Sequence, residues 1–76
     1  MAYSVQASSA AFDYITGKIK SKEWAPGTKI STEAQLCAEL GISRIAVRQA
    51  IEKLSALSVL RKVQGSGTYV EKFENV

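Results

Sequence analysis

Residues 40–70 carry the strongest structural signals of this chain, and their first part reads LGISRIAVRQAIEKL (residues 40–54). Ser43 is a preferred N-cap residue, because its hydroxyl can accept a hydrogen bond from a free backbone N–H. After it, apolar side chains recur at the i, i+3, i+4 and i+7 spacing of one helical face: Val47, Ala50, Ile51 and Leu54. The pattern predicts an amphipathic helix over about 44–55 with this face turned inward.

The other side of the predicted helix is mostly polar. At about 100° per residue, the side chains that point outward are Ile45, Arg48, Gln49 and Glu52. Arg44 begins the helix, where a cation interacts unfavourably with the helix dipole. A residue that is unfavourable for local structure is expected at a functional site. For Arg48 two roles are open: a functional contact, or an i,i+4 ion pair with Glu52. Gln49 carries the groups that bind adenine through two hydrogen bonds.

A β-hairpin is predicted after this helix. The runs at 59–63 and 68–71 are rich in β-branched and aromatic residues, and the four residues between them, QGSG, are strong turn signals. Glycine in the turn also lets backbone amides approach phosphate closely. Lys62 and Arg61 face opposite sides of the strand, and the register with the turn favours Lys62 as the one that faces phosphate.

The residues before position 40 predict two helices and a turn. An apolar stripe at positions 12, 15 and 19 indicates a first helix from about Ser8 to Ser21. Pro-Gly at 26–27 forces a turn, and residues 29–31 can form only a very short strand. Thr32 with Gln35 makes a capping box for a second helix from about 33 to 40. This helix buries residues 36 and 40, and Gly41 ends it.

Composition limits the class of protein. The chain has 76 residues, one cysteine and no histidine, so no disulfide or Cys/His metal site can hold the fold together. The usual catalytic sets of side chains cannot be assembled either. No run approaches the roughly 20 apolar residues of a membrane span, and the N-terminus lacks a secretory signal pattern. We expect a single cytoplasmic domain without catalytic residues, cofactor, metal or membrane contact.

The basic residues are concentrated in one part of the chain. The net charge is +3. Residues 41–70 contain a single acidic residue, Glu52, against five basic ones: Arg44, Arg48, Lys53, Arg61 and Lys62. Arginine binds phosphate through two parallel hydrogen bonds. The distribution therefore favours an anionic partner, although a solvated basic face is the simpler alternative.

In the order helix, short strand, helix, helix and hairpin, the chain resembles the N-terminal DNA-binding domain of the GntR (gluconate-operon repressor) family. The resemblance covers about residues 10–70. It rests on WAPGTKI (24–30), LGISR (40–44), VRQAIEKL (47–54) and QGSGTYV (64–70). The fold it implies is a winged helix-turn-helix, mainly α with a small antiparallel β-sheet, in which residues 1–76 form one domain with its core at about 10–71.

The resemblance also implies a function. A bacterial transcription regulator of this kind, often a repressor, binds double-stranded DNA sequence-specifically, with the helix at about 44–55 in the major groove and the wing at 64–67 near the minor groove. It is expected to bind a palindromic operator as a homodimer. A C-terminal domain, absent from this chain, is expected to bind a small-molecule effector and to dimerise.

The residues expected to bind DNA come from the cap of the second helix, the start of the third helix and the wing: Thr32, Ser43, Arg44, Ile45, Ala46, Arg48, Gln49, Lys62, Gln64, Gly65, Ser66, Gly67 and Thr68. Some positions depart from the family pattern. Ile45 and Ala46 replace two polar residues and favour apolar contact with a thymine methyl group. Ala34 and Ser66 each replace a basic residue.

A second interpretation remains open. An exposed Ile45 could anchor another protein, so that the winged helix serves as a protein–protein interaction module. Salt distinguishes the two interpretations, because DNA binding through several phosphates weakens steeply as salt rises.

Overall fold

The computed structural model describes residues 3–71. Three helices precede a two-stranded antiparallel sheet: α1 (Tyr3–Lys20), α2 (Glu33–Leu40), α3 (Arg44–Ala56), β1 (Leu60–Val63) and β2 (Gly67–Val70). The hairpin register pairs Leu60 with Val70 and Val63 with Gly67. An isolated bridge from Lys29 to Tyr69 adds the predicted short strand to the sheet edge. The predicted winged helix-turn-helix is confirmed.

The first helix begins earlier than predicted. It starts at Tyr3 rather than near Ser8, because Gln6 and Ala7 are good helix formers and no proline or glycine precedes Ser8 to stop the helix. Its apolar stripe is confirmed, since Ile15 is fully buried and positions 12 and 19 pack against the core. The helix ends at Lys20, one residue before the predicted end.

Gly17 lowers the stability of α1 without a packing reason. It is exposed, and a Cβ at this position would meet no atom within 4 Å. We expect Gly17→Ala to raise the free energy of unfolding by about 0.5 to 1 kcal/mol, since glycine loses more backbone entropy than alanine in a helix. Urea denaturation followed by circular dichroism measures this. The control is Gly41→Ala, which should destabilise because Gly41 has φ 67°; a loss of stability in Gly17→Ala would contradict the prediction.

The predicted capping box at the start of α2 is confirmed. The backbone N–H of Gln35 donates to Thr32 Oγ1 at 3.1 Å, and the N–H of Thr32 donates to Gln35 Oε1 at 2.8 Å. At the other end Gly41 adopts the left-handed conformation, and its N–H donates to the Cys37 carbonyl. Both ends of α2 are therefore fixed by local hydrogen bonds, which is why sequence alone located them.

The third helix follows α2 after three residues, 41–43. Its N-cap is Ser43, whose hydroxyl accepts the N–H of Ala46 at 3.2 Å. It ends at Ala56, and the C-cap Leu57 is followed by Ser58 in the left-handed conformation, with φ 66°. The next N–H, of Val59, donates to the Leu54 carbonyl at 2.9 Å. This is a Schellman-type end with serine in the position that glycine usually occupies.

The core lies where α1, α2 and the sheet meet α3. The predicted inward face of α3 is buried. It packs with buried residues of the other elements and of the short strand: Ile15, Ile30, Leu36, Leu60 and Val70. Leu40 is only half-buried, so its predicted burial is wrong. Leu36 alone anchors α2 as a fully buried residue. No helix within residues 3–71 is long and apolar enough to cross a membrane.

Candidate nucleic-acid interface

An open groove lies between the wing and the helix-turn-helix. We call it the wing groove. Its walls come from the hairpin turn on one side and from the starts of α2 and α3 on the other. It brings together many of the predicted site residues: Thr32, Arg44, Lys62, Gln64, Gly65, Gly67 and Thr68. Lys29 and Glu33 also line it, so basic side chains outnumber acidic ones three to one.

Arg44 and Ile45 are both exposed at the start of α3. Among the residues that the structure describes, none forms an ion pair with Arg44. The side chain of Ile45 is 66% exposed. The first turn of α3 therefore presents an unpaired cation and an apolar group side by side, two groups that suit the donor, acceptor and methyl pattern of the major groove.

Arg48 is held by α2 and not by its own helix. Its Nη2 donates to Glu33 Oε1 at 3.3 Å, and its Nε donates to Glu33 Oε2 at 3.5 Å. These hydrogen bonds and the charge of Glu33 raise the pKa of Arg48 above its ordinary value. The alternative partner considered for Arg48, Glu52 of the same helix, is instead ion-paired with Lys62.

The two basic residues of β1 point to different places. Lys62 lines the wing groove, and its Nζ lies 3.9 Å from Glu52 Oε2. Arg61 lies outside the groove lining, with its Nε 3.6 Å from Glu71 Oε2. The alternation of strand side chains thus brings Lys62, and not Arg61, into the groove.

Two predicted DNA-binding residues lie elsewhere. Ala46 is only 2% exposed, because it sits four residues before Ala50 on the inward face of the helix. The structure therefore turns the Ala46 side chain toward the core, and contact of this residue with DNA stays a prediction. Gln49 is exposed, but it lies beside Phe12 and Lys53 in a shallow concavity between α1 and α3. The structure does not bring Gln49 together with Arg44 and the wing.

The wing tip has its own internal contacts. The hydroxyl of Ser66 is hydrogen-bonded to the hydroxyl of Tyr69. Gly67 has φ 147°, and a Cβ there would lie 2.7 Å from Lys29 Cε. Glycine at this position therefore allows Lys29 to cross the base of the wing.

Lys29 and Glu33 are groove residues that the sequence did not single out. Lys29 alternates with the buried Ile30 in the short strand, a pattern that marks it as outward-facing. Glu33 occupies the first position of α2, where an acidic residue is already explained by the helix dipole. Its pairing with Arg48 joins residues 15 positions apart, and no local sequence signal predicts that contact.

Comparisons with known proteins agree with this geometry. The model of a family described as bacterial regulatory proteins, gntR family, matches residues 7–70. The mannosyl-D-glycerate transport/metabolism system repressor MngR of Escherichia coli (strain K12) is 43% identical over 60 residues, which cover 79% of this chain and 25% of that protein. The histidine utilization repressor of Klebsiella aerogenes is 39% identical over 56 residues, 74% of this chain and 23% of that protein.

The solved structures give the same result. AraR(DBD), in complex with operator ORX1, superimposes with a TM-score of 0.81 at 34% identity, over 84% of this chain and 77% of that one. This chain spans about a quarter of the length of the curated relatives it matches. The matched family model covers nearly the whole described fold, and on that ground the chain belongs to the gntR family of bacterial regulatory proteins.

Proposed function

We propose that this chain is the DNA-binding domain of a bacterial transcriptional repressor and that it binds double-stranded DNA sequence-specifically. The observation that carries the proposal is Arg44 at the start of α3, which forms no ion pair within residues 3–71 and lines one groove with Lys62 and the wing glycines. Two relatives are named repressors, and AraR(DBD) was solved with an operator. No catalytic role is proposed for the domain.

In this proposal α3 enters the major groove and the wing lies near the minor groove. With its side chains an α-helix is about 10–12 Å in diameter, so the major groove, about 12 Å wide, admits it. Residues in the first turn then contact base edges, as in other helix-turn-helix domains. Arg44 would bind a guanine or a phosphate, and Ile45 would contact a thymine methyl group.

Phosphate contacts would fix the position of the domain on the duplex. The candidates are the basic side chains of the groove, Lys29 and Lys62, the N–H groups at the capped start of α2, and the amides of the wing turn. Such contacts supply affinity without sequence information. Sequence information would come from the first two turns of α3.

For the whole protein we propose a homodimer on a palindromic operator. A further domain, C-terminal to the wing, would bind a small-molecule effector. Residues 1–76 would act as one DNA-binding unit within it. The isolated domain should bind weakly, since a dimer's second half-site raises the effective concentration of the first. Titration of a single half-site against the full palindrome tests this.

Arg48→Ala is expected to weaken binding to the preferred duplex by about 1 to 3 kcal/mol and to relax specificity at one base position. The reason is the loss of a guanidinium held at a fixed orientation by Glu33. Fluorescence anisotropy with preferred and scrambled duplexes measures it. Arg61→Ala is the matched control, because Arg61 is also exposed and ion-paired but lies on β1 and not on the helix proposed to enter the major groove. Equal losses on both duplexes would contradict a role in base contact.

Selection of bound duplexes from a random pool tests the proposed function, and the salt dependence of binding separates it from its rival. The rival is a protein–protein module anchored by the exposed Ile45. DNA binding predicts one enriched sequence and a slope of log K against log salt of about −0.9 for each phosphate bound. No enrichment, together with binding that is independent of salt, would reject the proposal.

A further inference from the structure

Carboxylates hold basic side chains of α3 and the wing in ion pairs. Arg48 Nη2 lies 3.3 Å from Glu33 Oε1, and Lys62 Nζ lies 3.9 Å from Glu52 Oε2. Within the part of the chain that the structure describes, Arg44 has no such partner. The two acids thus pair with Arg48 and Lys62, whereas Arg44 and Lys29 form no ion pair within the described residues.

Stability does not explain these two pairs. The side chains of Arg48 and Glu33 are 51% and 30% exposed, and those of Lys62 and Glu52 are 47% and 58% exposed. Exposed ion pairs contribute little to folding, because water and salt screen the charges and the side chains lose freedom. Their larger effect is on the charge that this surface presents to a partner.

The geometry of Arg48 shows how one pair can serve base contact while opposing phosphate contact. Glu33 accepts from Nε and Nη2. A guanidinium has five N–H donors, so the edge formed by Nη1 and the second N–H of Nη2 stays available. Two parallel donors of this kind bind O6 and N7 of guanine. Glu33 therefore orients the free edge of Arg48 and reduces the charge available to phosphate.

We infer that Glu33 and Glu52 are specificity-determining residues that act through Arg48 and Lys62, by keeping these cations from phosphates on DNA of unrelated sequence. Phosphate contacts supply essentially all non-specific affinity. A carboxylate that forms an ion pair with a basic side chain therefore weakens non-specific binding more than binding to the preferred sequence, where base contacts also contribute. The inference rests on the proposed function and adds a role for its acidic residues.

Glu33→Gln and Glu52→Gln test the inference, because each removes a charge while keeping the size of the side chain. Binding to the selected duplex and to a scrambled duplex is measured by fluorescence anisotropy at several salt concentrations. Each variant should bind the scrambled duplex roughly 5- to 10-fold more tightly, the contribution of about one phosphate contact near 0.1 M salt. The salt slope on that duplex should steepen by about 0.9, and the specificity ratio should fall.

Glu23→Gln is the matched control. It removes the same charge and breaks the 2.9 Å ion pair with Lys18, just beyond the C-terminal end of α1 and outside the wing-groove lining. It should leave the specificity ratio at the wild-type value. Melting temperatures establish that each variant folds. If Glu33→Gln does not fold, Glu52→Gln still tests the inference.

Two outcomes would overturn the inference while leaving the proposed function intact. The first is that both Glu33→Gln and Glu52→Gln keep the wild-type specificity ratio and the wild-type salt slope on the scrambled duplex. The second is an equal change in Glu23→Gln, which would trace the effect to net charge alone. Failure of the unmodified chain to bind any duplex at low salt would instead reject the proposed function, and the inference with it.

Discussion

Arg44→Ala is expected to cause the largest loss of DNA affinity of any single change on this surface, roughly 50- to 150-fold on the selected duplex. Arg44 lines the wing groove and forms no ion pair within residues 3–71. Its full charge and all of its donors are therefore available to DNA. Arg48, in contrast, already shares two donors with Glu33.

The same change should not reduce stability. A cation in the first turn of a helix opposes the helix dipole, so Arg44→Ala should leave the free energy of unfolding unchanged or raise it by a few tenths of a kcal/mol. Anisotropy titrations and urea denaturation measure the two quantities on one protein sample. Wild-type affinity in Arg44→Ala, or a loss of stability large enough to explain weaker binding, would contradict the assigned role.

Leu36→Ala is expected to have the largest effect on stability, a loss of about 2 to 5 kcal/mol. Leu36 is 0% exposed and is the only buried residue of α2 within the described structure. Removal of its side chain leaves a cavity between α2 and α3, where surrounding atoms cannot fully collapse. Since α2 positions Thr32 and Glu33 against the wing groove, DNA affinity should fall as well.

Leu57→Ala is the control for this prediction. Leu57 is 58% exposed just after α3, so the same deletion should change stability by no more than about 0.5 kcal/mol. Denaturation midpoints in urea compare the two variants directly. Equal stability losses in Leu36→Ala and Leu57→Ala would show that α2 is not anchored by its buried leucine.

The sequence predicted the frame of the fold well because its signals are local. The caps at Thr32 and Ser43 and the left-handed Gly41 act within one helical turn, and the turn residues fix the hairpin over four positions. The periodicity of α3 likewise identified its buried face. In each case neighbouring residues supply the physical cause, so no knowledge of the tertiary structure was needed.

The details of the candidate site were harder to predict because they depend on how the elements pack. The partner of Arg48 comes from α2, 15 residues away, and depends on the angle between the two helices. Ala46 lies at the edge of the inward arc, and only packing decides that it is buried. Gln49 is outward on a helical wheel, yet the position of α1 places it on the side of α3 away from the wing.

Amide chemical-shift mapping by NMR locates the surface of this domain that binds duplex DNA. On titration with the selected duplex, we expect the largest shifts at the cap of α2, the first turn of α3 and the wing turn, at residues 32, 43–45 and 64–68. Shifts confined to the exposed side of α1 around Gly17, or to Leu57, with the wing groove unchanged, would contradict this expectation.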